Sequence, residues 1–112
     1  MAYDEELAER IRGLVREVPG ISERKMFGGL CFMVNGNMAC GPVRDFLMVR
    51  VGPDAHDEAL AEGVVREMTF TGRSMRGMIE VDVPTLRDDE VLADWVGRGI
   101  DFASSLPPKQ GK

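Results

Sequence analysis

The dipeptide Asn35-Gly36, set between the apolar runs Leu30–Val34 and Met38–Cys40, constrains this chain more than any other stretch. Asn-Gly is the strongest short-range signal for a two-residue type I′ hairpin, because both central residues must accept positive φ. With Asn35 and Gly36 as the structural turn, Val34 faces Asn37, Met33 faces Met38, Phe32 faces Ala39 and Cys31 faces Cys40. Alternation then puts Cys31, Met33, Met38 and Cys40 on one face, with Leu30, Phe32, Val34 and Ala39 on the other. Neither face is polar. Such a hairpin must be covered on both sides, which predicts a central place in a sheet packed by helices or by a second subunit.

The remaining sequence supplies the layers. Asp4 predicts the start of a helix whose stripe is Leu7, Ile11, Leu14, Val15 and Val18, stopped by Pro19-Gly20. The first strand is expected to run from near Ser22 to Val34, with Gly28-Gly29 as a bend in its middle. The second ends near Cys40 at Gly41-Pro42, and the third covers Phe46 to Val51. A short acidic helix over 53–62 precedes a strand from Arg66 to Phe70, a loop from Thr71 to Gly77 and a strand from Met78 to Val83. Thr85 and Asp88 signal the cap of a last helix with Leu92, Trp95, Val96, Phe102, Ala103 and Leu106 on its stripe. Gly99 permits that helix a close approach. The order α-β-β-β-α-β-β-α predicts an α+β domain over 1–107, an antiparallel sheet packed by helices, with 108–112 as a short disordered tail.

Composition narrows the function. The 44% hydrophobic content of 112 residues fills one core. A net charge of −5 argues against generic binding to DNA or anionic membranes. The charge is uneven, however, and segments 21–52 and 63–77 each carry a net +2. No apolar run approaches the roughly 18–20 residues that span a bilayer, and the N-terminus lacks a signal-peptide core, which predicts a cytoplasmic protein.

The string RKMFGGLCFMVNGNMACG (Arg24 to Gly41), the strand LMVRVGP (Leu47 to Pro53) and the loop FTGRSMRG (Phe70 to Gly77) together resemble the TfoX N-terminal domain family, over residues 3–107. The resemblance implies a secretion-chaperone-like α+β fold. The best-known proteins with this domain are regulators of natural competence, in which a second, helical domain follows. The resemblance therefore implies a regulatory role for a stand-alone first domain, and it brings no catalytic residues.

Four groups of residues carry the chemistry. Cys31 and Cys40, as a non-hydrogen-bonded cross-strand pair, would have Cα atoms about 4.5 Å apart, inside the roughly 4.4–6.8 Å that a disulfide allows. They are read as a redox pair or, more simply, as two buried thiols. Arg24, Lys25, Arg73 and Arg76 would form a basic patch for carboxylate or phosphate if the loop folds over the strand start; otherwise they pair with neighbouring acids. Met26, Met33, Met38, Met48, Met68, Met75 and Met78 fall in or beside strands, as core or as an adaptable binding face that would favour a homodimer. His56 reads as a surface residue, without the ligand set of a metal site, and no cofactor motif is present. These readings predict a non-catalytic regulatory or protein-interaction module whose partner is another protein, a homodimer through the sheet or its edge being one form. The alternative is a small-anion or nucleic-acid-binding domain on the four basic residues. An enzyme using Cys31 or Cys40 would need a low-pKa thiol.

Overall fold

The computed structural model describes residues 3–26, 28–63, 65–70 and 73–108, with the backbone alone at 69, 70 and 73–76. Asp4 caps helix α1 (Glu5–Val15) by accepting a hydrogen bond from the Leu7 N–H at 3.0 Å. Leu7, Ala8, Ile11 and Val15 form its buried arc. Leu14, predicted on that stripe, is 46% exposed, and Ala8, not predicted there, completes the arc with Val15.

The strands are β1 (Ile21–Met26), β2 (Gly29–Val34), β3 (Asn37–Val43), β4 (Phe46–Arg50), β5 (Val65–Phe70) and β6 (Arg73–Asp82). They form one antiparallel sheet of order β1-β2-β3-β4-β6-β5. Helix α2 (His56–Leu60) joins β4 to β5, and a 3-10 turn (Val83–Arg87) leads from β6 into α3 (Asp89–Ser105). Asp88 caps α3, its carboxylate accepting from the Glu90 and Val91 N–H groups. The α+β class and the order helix, strands, helix, two strands, helix are those predicted.

The acidic helix expected over 53–62 is shorter, at His56–Leu60, and Val83 opens the 3-10 turn and is not the end of a strand. Three further differences change the pairing of the sheet. The long first strand folds back on itself at Gly28 (φ +74°), giving the antiparallel pair β1 and β2. Arg73 to Gly77, predicted as loop, is the first half of β6, where Ser74 pairs with Thr69 and Arg73 with Phe70. Strand β3 continues through Gly41-Pro42. The described β2–β3 pairing ends at Cys40, so the N–H that Pro42 lacks is not needed there, and Pro42 pairs with Leu47 of β4.

The central hairpin holds the main correction. Asn35 and Gly36 have φ of +52° and +84°, and Val34 faces Asn37 and Met33 faces Met38. The register then shifts by one, so that Phe32 faces Cys40 and Ala39 is an extra residue, a β-bulge. Cys40 moves to the helix side, where it packs with Leu30, Phe32, Leu47 and Val49. Cys31 stays on the other side, with Met33, Val43, Phe46 and Met48. The predicted Cys31–Cys40 facing pair is therefore not formed; both thiols are free and buried.

All described helices cover one face of the sheet. Leu7, Ile11, Leu86, Leu92, Trp95 and Val96 pack there on Leu47, Val49, Ile79 and Val81. The opposite face is a second, strand-borne core of Cys31, Met33, Val43, Phe46, Met48, Met68 and Met78, with Met26 and Met38 partly buried beside it. Met33, Met48, Met68 and Met78 are buried in the single chain and Met26 and Met38 are half-buried, so they do not form the exposed adaptable surface considered above; the Met75 side chain lies outside the described residues.

Helix α3 sits directly on the bulge. A methyl group at Gly99 would run into the Ala39 carbonyl oxygen, whereas one at Gly97 would meet nothing within 4 Å. Gly99→Ala is expected to lower stability by about 1–3 kcal/mol, and Gly97→Ala to leave it unchanged or raise it by up to about 1 kcal/mol. Urea unfolding of the two variants checks this; equal effects would contradict the close seating of α3.

Candidate functional site

Strand β1 ends the sheet on one side, and its four central residues, Ser22, Glu23, Arg24 and Lys25, are exposed. Its register with β2 fixes what each presents. The Asn35 N–H donates to the Gly20 carbonyl at 3.0 Å, one step beyond the pair Ile21–Val34. Hydrogen-bonded and non-hydrogen-bonded pairs alternate along an antiparallel ladder. Counted from Gly20, the main-chain groups of Ser22, Arg24 and Met26 turn to β2, and those of Glu23 and Lys25 turn to the free edge. Free main-chain donors and acceptors on an edge strand are a template for another strand. Glu23, opposite Phe32, and Lys25, opposite Leu30, lie on the helix side; Arg24, opposite Cys31, lies on the methionine side.

Helix α1 forms the other wall. Arg12 forks onto Glu23, Nε to Oε2 at 2.6 Å and Nη2 to Oε1 at 2.9 Å, and its Nη1 reaches Glu9 at 2.6 Å. The forked hydrogen bonds hold the Glu23 carboxyl below its ordinary range, against an opposing effect of burial. A groove of about 560 Å³ runs between α1 and β1, with Val15, Ile21 and Phe32 as its apolar floor and Glu9, Arg12, Arg16 and Glu23 on its rim. Arg12 is shared between Glu23 and Glu9, so this triplet keeps one net negative charge, which the three cations Arg16, Arg24 and Lys25 outnumber along the edge. Arg16, Arg24 and Lys25 are exposed and make no ion pair among the described residues.

The predicted basic set is placed in two parts. Arg24 and Lys25 share β1, while the backbone of Arg73 and Arg76 lies on β6, with β2, β3 and β4 between. The side chains of Arg73 and Arg76 lie outside the described residues. Arg16, which joins Arg24 and Lys25 beside the groove, was not foreseen. Its signal was a basic residue closing a helix three positions before Pro19-Gly20.

His56 corrects another expectation. It is 1% exposed, packed between α2 and the β5–β6 ladder. Its Nδ1 accepts from the Gly77 N–H at 2.9 Å, which leaves the ring proton on Nε2, 3.0 Å from the Glu67 carboxylate. Gly77 (φ +90°) in turn accepts from the Val51 and Gly52 N–H groups, so the ring pins α2 to the point where β4 leaves the sheet. Among the described residues no group of three or more His, Cys, Asp or Glu is arranged to hold a metal ion, and no helix is long and apolar enough to cross a membrane.

The thiols are not poised for chemistry. Burial pushes Cys31 up to about 11, opposed by a hydrogen bond from the Ala39 backbone and by the charge of Arg50. Burial pushes Cys40 up further, with Cys31 adding to it. Reactive cysteines sit in electropositive, partly exposed surroundings, which neither residue has.

A model of the TfoX N-terminal domain matches residues 13–103 of the chain. The chain belongs to the TfoX N-terminal domain family. The comparisons found no match among curated proteins or among solved structures. The open edge of this TfoX N-terminal domain, from Arg16 through Lys25, lies inside the matched span, as do Cys31, Cys40 and His56.

The burial and separation of the two cysteines in this TfoX N-terminal domain make a direct prediction. Protein purified without reductant should carry two free thiols by intact mass and react with a thiol reagent at pH 8 only after denaturant is added. A Cys31–Cys40 disulfide in the folded protein, or rapid native labelling, would contradict the bulged register.

Proposed function

We propose that this TfoX N-terminal domain is a non-catalytic regulatory module, of the kind carried by competence regulators, and that it works by binding another protein along β1. The observation that carries this reading is the outward main-chain groups of Glu23 and Lys25, set beside the uncompensated charges of Arg16, Arg24 and Lys25. Burial of the methionine face leaves this edge as an accessible strand surface. Recognition by strand addition needs no catalytic group, since main-chain hydrogen bonds give affinity and flanking side chains give specificity. A small-anion or nucleic-acid site built from all four predicted basic residues has less support, given three strands between β1 and β6 and a net charge of −5.

Affinity capture from a native cell extract, with nuclease present, tests the reading. The wild-type domain should retain a protein partner that the Arg24→Glu/Lys25→Glu variant, folded to the same extent by circular dichroism, loses. Recovery that disappears with nuclease would replace the reading with nucleic-acid binding.

A further inference from the structure

The β1 edge also specifies the chemistry of what it takes, and we infer that this is an extended acidic segment of a partner protein, added as a further strand outside β1. The inference rests on the interaction-module reading above and names the partner of that same edge. An added strand would bond to the outward main-chain groups of Glu23 and Lys25. Residues directly opposite each other in an antiparallel pair share a face. A residue opposite Lys25 therefore lies on the helix side and one opposite Arg24 on the methionine side, so two adjacent acidic residues answer both cations at once. Glu23 already carries the Arg12 fork and asks for no cation of its own. Opposite Glu23 and Ile21 the added side chains point to the groove floored by Val15 and Phe32, which suits β-branched apolar residues.

A second copy of this chain fits the same edge less well. Two antiparallel strands related by a twofold axis place one residue against its own copy, and at the centre of β1 that residue is Glu23, Arg24 or Lys25. Glu23 or Lys25 on the axis opposes like charges directly, which destabilises the pair. Arg24 on the axis does so too and sets Glu23 opposite Lys25 twice, but there Glu23 is already engaged by the Arg12 fork. Each chain also carries a net −5, which disfavours self-association and favours neither copy as the acidic strand, because the edge itself is locally positive.

The test uses fluorescence anisotropy with a fluorescein-labelled synthetic peptide made of two adjacent aspartates followed by alternating valine and threonine, in both sequence orders. A control peptide has lysines in place of the aspartates. The acidic peptide should bind, more weakly as salt rises, and the control should not. Arg24→Glu/Lys25→Glu should lower the affinity about tenfold. Lys25→Pro should lower it more than Lys25→Ala, because proline removes the outward N–H and leaves the β2 ladder intact. Equal binding of both peptides, or acidic binding indifferent to these variants, would overturn the inference. So would sedimentation showing a wild-type dimer that Lys25→Pro dissociates, which would assign the edge to a second copy. If the extract partner still depends on Arg24 and Lys25 while the acidic peptide fails to bind, the interaction-module reading stands and the acidic-segment inference falls. If the partner is also indifferent to them, both fall.

Discussion

The extra residue at Ala39 is the constraint on which the rest of the molecule depends. Side chains alternate along a strand, so one inserted residue exchanges the faces of everything beyond it. The exchange turns Cys40 inward under the helices and leaves Cys31 among the methionines. It also sends Leu47, Val49, Ile79 and Val81 to the helix side, and Phe46, Met48 and Met78 to the other, through the pairing of β3 with β4 and of β4 with β6. The bulge exposes a carbonyl against which α3 rests at Gly99, so the same residue that sets the faces also seats the longest helix.

The two ends of the sheet differ in how they are finished. At the β5 end, α2 packs against the outer hairpin and His56 is spent on holding Gly77 and Glu67. At the β1 end nothing in the described chain covers the strand. Arg12 and Glu23 are each more than a third exposed, so their pair adds at most about 1 kcal/mol of stability. Its larger consequence is electrostatic, because Arg12 offsets one of the two carboxylates it holds, Glu9 and Glu23, and Arg16, Arg24 and Lys25 outnumber the other. Charged residues on an edge strand keep it from pairing indiscriminately while still allowing a partner of opposite charge.

Much of the fold was legible wherever one local residue dictates geometry. Asp4 and Asp88 cap their helices, Asn35-Gly36 makes the turn, and Gly99 marks a close approach, because each acts through its own backbone or nearest turn. The rest depends on partners distant in sequence. Neither Ala39 nor its neighbours carry a signal for the bulge, since an alanine fits equally well in or out of register. Gly28-Gly29 suited a bend as well as a reversal, and only the pairing of Met26 with Gly29 decides it. His56 lies beside Asp57 in an acidic stretch, and its burial follows from β5 and β6 closing over it. Arg24 and Lys25 were recognisable as candidates, but their relation to Arg16 and the groove required the packing of α1 across β1.

Amide hydrogen exchange along β1, resolved residue by residue by NMR, tests the central claim most directly. In the isolated protein the Ser22, Arg24 and Met26 amides should be protected by β2, while those of Glu23 and Lys25 exchange at rates near those of an unstructured chain. Protection of Glu23 and Lys25 equal to that of Arg24 would mean that the edge is already covered, and would contradict the account.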